Sequence, residues 1–346
     1  MFSYSCSRQS EKGCRDGIQS PCLPLEKPHP KLSDYNLYKE PLDNLEPVSG
    51  VLPYDLNTEL FSDYAQKQRF VYVPKDTFMI YQEEEVLDFL VGSMLVKNFY
   101  YDKDQRDPSS ERIIIETRLL MHNETGWTAE TYVWNEGQNE AFLQQAGELK
   151  DVEWIDQEGI TRKVNFIIPT KNDCKKCHAH NSSLVPLGPK VRNLNKIYPY
   201  ADGEINQLTK WEQHGILRER PDLQKIPKAP VWDDPSTGTL QQRARIYLDV
   251  NCGNCHNRSG SAGHSGHYLT YEEKDSSHLG MYKTPVAAGR GSGGLQYDIV
   301  PGHPDRSILV FRMESVDPAV RMPEIGRTLV HEEAVELIRE WVQEMD

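Results

Sequence analysis

Two short motifs, Cys174–His178 and Cys252–His256, constrain this chain more than any other feature. Each has the pattern Cys-x-x-Cys-His, which is typical of covalent haem attachment: the two thiols add to the vinyl groups of one haem, and the histidine imidazole binds its iron. A shuffled chain with the same 7 Cys and 11 His would contain roughly 0.005 such motifs. The sequence therefore predicts two haems of c type. Their attachment residues are Cys174, Cys177, Cys252 and Cys255, and their axial ligands are His178 and His256.

The same four cysteines also contain the two halves of a zinc-ribbon pattern. Zinc ribbons usually keep these halves much closer than the 74 residues between Cys177 and Cys252, and they require no histidine after each second cysteine. A thioredoxin-like redox pair is favoured less, because no strand is predicted to lead into a helix that opens with either motif. Zinc is therefore the alternative to haem.

Length and composition suit two domains of ordinary size. Residues 1–50 are rich in Pro, Ser, Lys and Glu and are interpreted as a tether or strap. Residues 51–180 are predicted to form an antiparallel β-sheet domain that ends in the first haem motif. A linker with one helix is expected over 181–238, and a mostly α-helical cytochrome c domain over 239–346. The expected fold class is α+β.

Runs of β-branched and aromatic residues between turn signals predict the strands of the sheet. They are Arg69–Val73, Met94–Tyr100, Arg112–Leu120, Glu130–Trp134 and Val164–Ile168. A helix is predicted within Gly203–Leu217, through Ile205, Leu208, Trp211 and Glu212. Another is predicted over Leu240–Leu248, behind a capping Thr239. A closing helix is predicted from one apolar face made of Ala334, Leu337, Ile338, Trp341 and Val342. Two crossing helices of this kind can hold a haem edge between them.

A methionine thioether is the expected sixth ligand of the second iron, because such a ligand raises the potential for electron transfer. Met322 is the first candidate, since the proline after it favours an extended loop just before the closing helix. Met313 is the next candidate. Arg290, in the glycine-rich segment Ala287–Gly294, and Tyr297 are candidate partners for haem propionates.

The formal net charge of −13 disfavours nucleic acid as a partner. It is compatible with a basic redox protein, which opposite charge would steer toward this chain; the alternative is that the charge only keeps a secreted protein in solution. Apolar runs are all far shorter than the ~18 residues that a membrane-spanning helix needs. Covalent haem attachment takes place outside the cytoplasmic membrane, so a periplasmic or cell-surface location is expected, with the numbering starting after a processed or trimmed leader.

The three remaining cysteines, Cys6, Cys14 and Cys22, lie near the N-terminus. An odd cysteine at such a place is a candidate for lipid attachment, which makes Cys6 the expected anchor and leaves Cys14 and Cys22 for a disulfide. The alternative is that all three belong to a disordered tail. Membrane contact is expected only through this lipid or through a partner complex.

The segment from Cys252 to the C-terminus resembles a class I cytochrome c domain of the kind appended to exported bacterial oxidoreductases. Besides the haem motif, this resemblance rests on Pro301–Ser307 and Arg321–Gly326. The span from about Leu32 onward resembles a largely uncharacterised family of bacterial di-haem cytochrome c proteins. The segments that carry this second resemblance are Leu60–Ala65, Val91–Lys97, Glu116–Leu120 and Ala287–Gly291.

A sheet followed by a haem motif also resembles cytochrome P460 and the β-sheet form of cytochrome c prime. This resemblance rests on the order of elements and on Gly92–Lys97, and it implies a five-coordinate first haem, open to a small molecule such as nitric oxide. In the P460 family a sheet lysine is bonded to the haem, and Lys97 is the corresponding position; the alternative is a surface strand lysine. His214 is a candidate sixth ligand, whereas His180 is too near His178 to reach the opposite haem face.

Three functions are compatible with these patterns. The first is an exported di-haem protein that passes single electrons between redox partners. The second is a haem oxidoreductase or gas-binding protein that uses an open first haem, with the second haem as an electron relay. The third is a docking subunit of a larger membrane-associated complex. An open first iron would favour the second function over the other two.

Overall fold

The computed structural model describes residues 21–23, 27–181 and 183–346. Antiparallel strands and helices both occur, so the chain is α+β as expected. The strands are β1 (Val51–Tyr54), β2 (Gln66–Tyr72), β3 (Met79–Ile80), β4 (Asp88–Phe89), β5 (Met94–Asp102), β6 (Arg112–Asn123), β7 (Gly126–Trp134), β8 (Ala141–Leu143), β9 (Glu148–Ile155), β10 (Thr161–Ile168), β11 (Ala179–His180), β12 (Ser183–Leu184), β13 (Ile197–Tyr200), β14 (Gly203–Asn206) and β15 (Leu217–Arg218). The main sheet has the order β1-β2-β5-β6-β7-β8, and β9 pairs with β10 in a separate ribbon.

The helices follow the main sheet in sequence. They are α1 (Lys171–His178), α2 (Val191–Leu194), α3 (Gln207–Gln213), α4 (Leu240–Leu248), α5 (Ile308–Glu314) and α6 (Glu332–Gln343). The short 3-10 turns are Ser33–Tyr35, Leu42–Asn44, Leu223–Lys225, Pro235–Thr237, Gly263–Ser265, Gly289–Ser292 and Pro304–Arg306. A π-helix, Asp249–Gly253, continues α4.

All five predicted strands are confirmed, with different ends. Four of them belong to the main sheet, where their β-branched and aromatic residues alternate between its two faces, and Val164–Ile168 lies in β10 of the separate ribbon. A bulge between Phe99 and Tyr100 shifts the pairing of β5 with β6. Strands β1 and β9 are not predicted from sequence. Pro53 interrupts the apolar pattern of β1, and β9 contains many charged residues.

The segment 27–50 covers one face of the main sheet. Its apolar side chains share a buried cluster with Phe70 and Leu119 of the central strands. The buried members from this segment are Leu32, Tyr35, Leu37, Tyr38, Leu42, Leu45 and Val48. The Tyr38 hydroxyl also donates to the side-chain oxygen of Asn98 at 3.1 Å. This part of the chain is therefore a strap packed on the sheet.

The segment 191–226 belongs to a second buried cluster. Leu194, Leu208 and Trp211 pack there with apolar residues of β2 and β5. The predicted helix over Gly203–Leu217 is wrong at its start, because residues 203–206 form β14, paired with β13. Helix α3 begins only after Asn206, whose side chain accepts the N–H of Leu208 at 3.0 Å as an N-cap.

Helices α4, α5 and α6 pack around a third cluster, the C-terminal core. The predicted α4 and its cap are confirmed: Thr239 accepts the N–H of Gln242 at 3.2 Å, and the Gln242 side chain accepts the N–H of Thr239 at 3.0 Å. The predicted apolar face of the closing helix is also confirmed. Its buried residues are Ala334, Leu337, Ile338, Trp341 and Val342.

The N-terminal sheet and the C-terminal core meet through specific contacts. The Phe61 ring stacks on the His331 ring with centroids 4.1 Å apart, and the Phe61 N–H donates to Asn251 at 2.8 Å. The buried guanidinium of Arg192 pairs with Asp249 at 2.8 Å. These contacts fix the sheet against the start of the second motif.

Asp63 makes a further contact between the two parts. Its carboxylate accepts the N–H groups of Thr328 and Leu329 at 2.7 and 2.8 Å. Asp63 and Tyr64 have φ values of 52° and 62°, in the left-handed region that side chains other than glycine seldom adopt. Such conformations persist where surrounding contacts hold them, and here the contact is with the loop that leads into α6.

No helix in the described part of the chain is long and apolar enough to cross a membrane. Cys22 is disulfide-bonded. Cys6 and Cys14, the expected anchor and the expected partner of Cys22, lie outside the described residues. The four cysteines of the two motifs are free thiols.

Candidate haem-attachment sites

The first motif lies on α1. Thr170 caps the start of this helix with a capping box. Its Oγ1 accepts the N–H of Asp173 at 3.2 Å, and the Asp173 carboxylate accepts the N–H of Thr170 at 3.1 Å. Cys174 and Cys177, three positions apart, fall on one face of the helix. Strand β10 ends at Ile168, just before α1. The motif nevertheless starts inside the helix rather than opening it.

His178, at the end of α1, uses only one ring nitrogen for a protein contact. Its Nδ1 lies 2.8 Å from the carbonyl oxygen of Val185. Burial lowers the pKa of His178 to about 4, so the ring is neutral near pH 7, with its proton on Nδ1. A neutral imidazole with Nδ1–H on a carbonyl and a free Nε2 is the usual state of a metal-binding histidine.

The second motif begins in the π-helix that continues α4. The N–H groups of Cys255 and His256 then both point to the carbonyl oxygen of Cys252, at 3.1 and 2.9 Å. Single π turns inside helices are frequent at functional sites. The Cys252 side chain packs against the C-terminal core, and burial raises the pKa of its thiol to about 12.

His256 repeats the arrangement of His178. Its Nδ1 lies 3.1 Å from the carbonyl oxygen of His267, and burial lowers the pKa of His256 to about 4. The His267 ring is itself held by the carbonyl oxygen of Leu279, 3.1 Å from Nε2. Two unrelated elements of the fold thus offer the same donor set, two free thiols and a neutral imidazole with a free Nε2. This set fits a covalently attached haem.

A small cavity borders the second motif. Met322 and Met313, the two methionines predicted as sixth ligands, line it together with Cys252. The other lining residues are Tyr247, Asn251, Pro323, Arg327, His331 and Val335. The fold therefore brings the predicted methionine to the same cavity as a motif cysteine.

The two candidate propionate partners do not line this cavity. Arg290 is exposed, and its guanidinium donates to Asp317 at 2.8 Å. Tyr297 is only partly buried. The glycine-rich segment packs on α5, where a Cβ at Gly293 would lie 2.6 Å from the Phe311 ring. Close approach to this helix explains the need for that glycine.

Arg327 is a site residue that sequence reasoning misses. It is 3% exposed, and its guanidinium donates to the carbonyl oxygens of Met322, Met313 and Leu329 at 2.9, 3.0 and 2.8 Å. It also reaches the carbonyls of Arg312 and Ser315. The segments that carry both cavity methionines are thus held by one side chain. The only signal in the sequence is an arginine next to the predicted ligand loop, and most arginines are exposed.

The two motifs touch each other. The Cys255 Sγ atom lies 3.5 Å from the carbonyl oxygen of Lys176. A hydrogen bond between the Cys177 and Cys255 side chains raises the pKa of Cys177 and lowers the pKa of Cys255. The Lys176 ammonium also lies 3.2 Å from the carboxylate of Glu324, two residues after Met322. The second cysteine of each motif and the Met322 loop therefore meet at one place.

Two cations of the main sheet lie near the first motif. Burial is the largest cause of the lowered pKa of His178, and the charges of Lys97 and Arg118 lower this pKa further. Arg118 also interacts electrostatically with the Cys174 thiol. Lys97 is partly buried rather than fully exposed. Burial and the neighbouring cations hold the pKa of Lys97 well below its ordinary value.

The histidines considered as sixth ligands of the first iron are both exposed: His180 lies in β11, and His214 follows α3 as its C-cap. Within the described residues, no group of three or more Cys, His, Asp or Glu side chains is arranged to hold a metal ion. No protein-family model, no curated protein and no solved structure matches this chain.

Proposed function

We propose that this chain is an exported di-haem c-type cytochrome that transfers single electrons between redox partners. The contact between two complete Cys-x-x-Cys-His motifs carries the proposal. Each motif offers two free thiols and a neutral histidine whose Nε2 is available. A haem bound there supplies one-electron chemistry at its iron.

The contact between the motifs supports electron transfer from one centre to the other. Cys177 and Cys255 are attachment residues, so each is bonded to the edge of its own haem in the proposed state. As free thiols, the two side chains interact directly with each other. The contacts of Asp63 and Arg192 with the C-terminal part keep this arrangement rigid.

For residues 239–346 we propose the arrangement of a class I cytochrome c, with His256 and Met322 as ligands of one iron. Helices α4 and α6 pack in one core, and Met322 shares a cavity with Cys252. A thioether ligand raises the reduction potential, as electron transfer requires. Arg327 supports this role by fixing the backbone of the Met322 loop.

A second candidate is a P460-like haem oxidoreductase or small-gas-binding protein that uses an open first iron. It is favoured by the difference between the two sites. Met322 lines the cavity of the second motif, whereas His214, the candidate for the first iron, is exposed at the end of α3. Lys97 lies near the first motif with a strongly lowered pKa, as a side chain that takes up and releases protons requires.

The expected location and partners belong to the same proposal. A disulfide at Cys22 supports an oxidising compartment, in agreement with export to the periplasm or the cell surface. The net charge of −13 supports a basic redox protein as partner. Attachment to a membrane would use a lipid at Cys6 or a partner complex.

The deciding experiment is absorption spectroscopy of protein exported by a cell competent for cytochrome c maturation, combined with intact mass. Two covalent haems, and no binding of carbon monoxide or nitric oxide at either iron, are the expected result for an electron carrier. Binding of gas at one iron, with a methionine-to-iron charge-transfer band from the other, would favour the second candidate. Protein without haem would overturn both and return zinc to consideration.

A further inference from the structure

A row of cations crosses the main sheet beside the first motif. Arg69 of β2 lies opposite Lys97 of β5, and Lys97 lies opposite Arg118 of β6, so the three side chains share one face. Lys97 and Arg118 both lie over the Phe99 ring, with their charged groups 4.7 and 4.3 Å from its centroid. Lys67, two residues before Arg69, is on the same face, opposite to the strap.

The carboxylates around this row do not balance its charge, because five cations face three paired carboxylates and Asp63, whose charge also acts on Lys67. The cations are Lys67, Arg69, Lys97, Arg118 and Lys196, and the carboxylates are Asp55, Glu59 and Glu116. A net positive charge is therefore left on this face. Buried charge of one sign is costly unless an opposite charge accompanies it.

Lys97 is the cation without a carboxylate partner. Among the described residues its ammonium has no hydrogen bond and no carboxylate within ion-pair distance, and its contact is with the Phe99 ring. The neighbouring side chains of Arg69 and Lys67 are only 3% and 6% exposed. Burial is the largest cause of the lowered pKa of Lys97, and repulsion from these cations lowers this pKa further. An anion at this place would complete the site.

The row leads away from the attachment cysteines. Arg118, at the near end, interacts electrostatically with the thiols of Cys174 and Cys177. Arg69, at the far end, is two strands away, which is about 10 Å at the usual strand spacing. This distance is comparable to that between the thioether-bonded edge of a porphyrin and its propionate-bearing edge.

From this arrangement we propose that Lys67, Arg69 and Lys97 form an oxyanion site that binds the two propionate carboxylates of the first haem. The inference rests on the proposed function. The propionates would supply the missing negative charge, and guanidinium and ammonium groups are the strong hydrogen-bond partners of carboxylates. A free small oxyanion has the same chemistry, and the test below separates the two occupants.

The test is a redox titration of the complete di-haem protein and of its Lys97→Gln and Lys67→Gln variants. Loss of a cation beside the propionates stabilises the more positive, ferric state, so the potential of the first haem is expected to become more negative. Lys97→Arg should keep the original potential. Lys163→Gln is the matched control, because Lys163 is 74% exposed on β10 and pairs with Glu153.

Each outcome decides the assignment. Two covalent haems by mass, with a shift in Lys97→Gln no larger than in Lys163→Gln, would overturn the propionate site and leave the proposed function intact. A changed spin state in Lys97→Gln would assign Lys97 to the iron instead. Titration of wild-type protein with nitrite and with sulfate should give no saturable spectral change; saturable binding that Lys97→Gln abolishes would show that the occupant is a free oxyanion. Wild-type protein without haem would overturn the proposed function first.

Discussion

The Sγ atom of Cys255 lies 3.5 Å from the carbonyl oxygen of Lys176, although 79 residues separate them in sequence. Because each residue belongs to a Cys-x-x-Cys-His motif, this contact relates the two motifs to each other directly. Glu324 extends the contact to the Met322 loop through its ion pair with Lys176. The two candidate haem sites therefore form one unit.

We predict electronic coupling between the two haems. Because Cys177 and Cys255 touch, the bonded haem edges should be close enough for their absorption transitions to interact. The circular dichroism of the di-haem protein in the Soret region should show a pair of bands of opposite sign. The comparison is the sum of two single-haem variants, Cys174→Ala/Cys177→Ala and Cys252→Ala/Cys255→Ala. A spectrum equal to that sum would contradict the coupling.

Met322→Ala should open the second iron. The methionine-to-iron charge-transfer band should disappear, the potential of that haem should fall because the thioether is lost, and carbon monoxide should bind the ferrous form. Met313→Leu is the matched control, since it keeps the volume of a second cavity residue. Loss of the band in Met313→Leu but not in Met322→Ala would exchange the two assignments.

Arg327→Gln should destabilise the protein by about 3 kcal/mol, because it leaves several buried carbonyl oxygens without a charged donor. The free energy of unfolding is measured by denaturant titration of the holoprotein. The charge-transfer band of Met322 should weaken before the protein unfolds, since the loop loses its anchor. Arg290→Gln is the control: its ion pair with Asp317 is exposed, and its loss should cost less than about 1 kcal/mol. Equal effects of the two changes would refute this role of Arg327.

Glu59 should contribute to acid sensitivity. Burial alone would raise the pKa of Glu59, but pairing with Arg69 and Lys67 lowers it from 4.5 to about 2. A lowered pKa in the folded state means that this stabilisation is complete above pH 4.5 and is lost as the pH falls toward 2. Glu59→Gln should be less stable than wild type at pH 6, with a difference that narrows on acidification. Glu84→Gln, at an exposed position, should follow wild type at every pH.

Local patterns account for what the sequence predicts well. Thr239 and Gln242 make a capping box within one helical turn, and the apolar face of α6 repeats at helical spacing, so both are visible in a short stretch of sequence. The haem motifs are visible for the same reason. The position of Met322 near Cys252 agrees with its loop location before α6.

Long-range packing accounts for what the sequence does not reveal. Arg327 is interpretable only once its guanidinium is seen among the carbonyls of distant segments. The resemblance to cytochrome P460 singles out Lys97, but the cations on either side of it come from β2 and β6 and are found only in the folded sheet. The start of α3 at Gln207 depends on a hairpin that precedes it. None of these features has a periodic pattern.

The segment around Phe61 also has a consequence for the biogenesis of the protein. Phe61 packs on His331 and hydrogen-bonds to Asn251, and both of these residues line the cavity that contains Cys252. Cys252 is only partly buried, and docking of this segment covers two of its neighbours in that cavity. On the proposed function, we therefore expect haem to join Cys252 more readily before this segment docks than after, which would give the contact a part in the order of maturation.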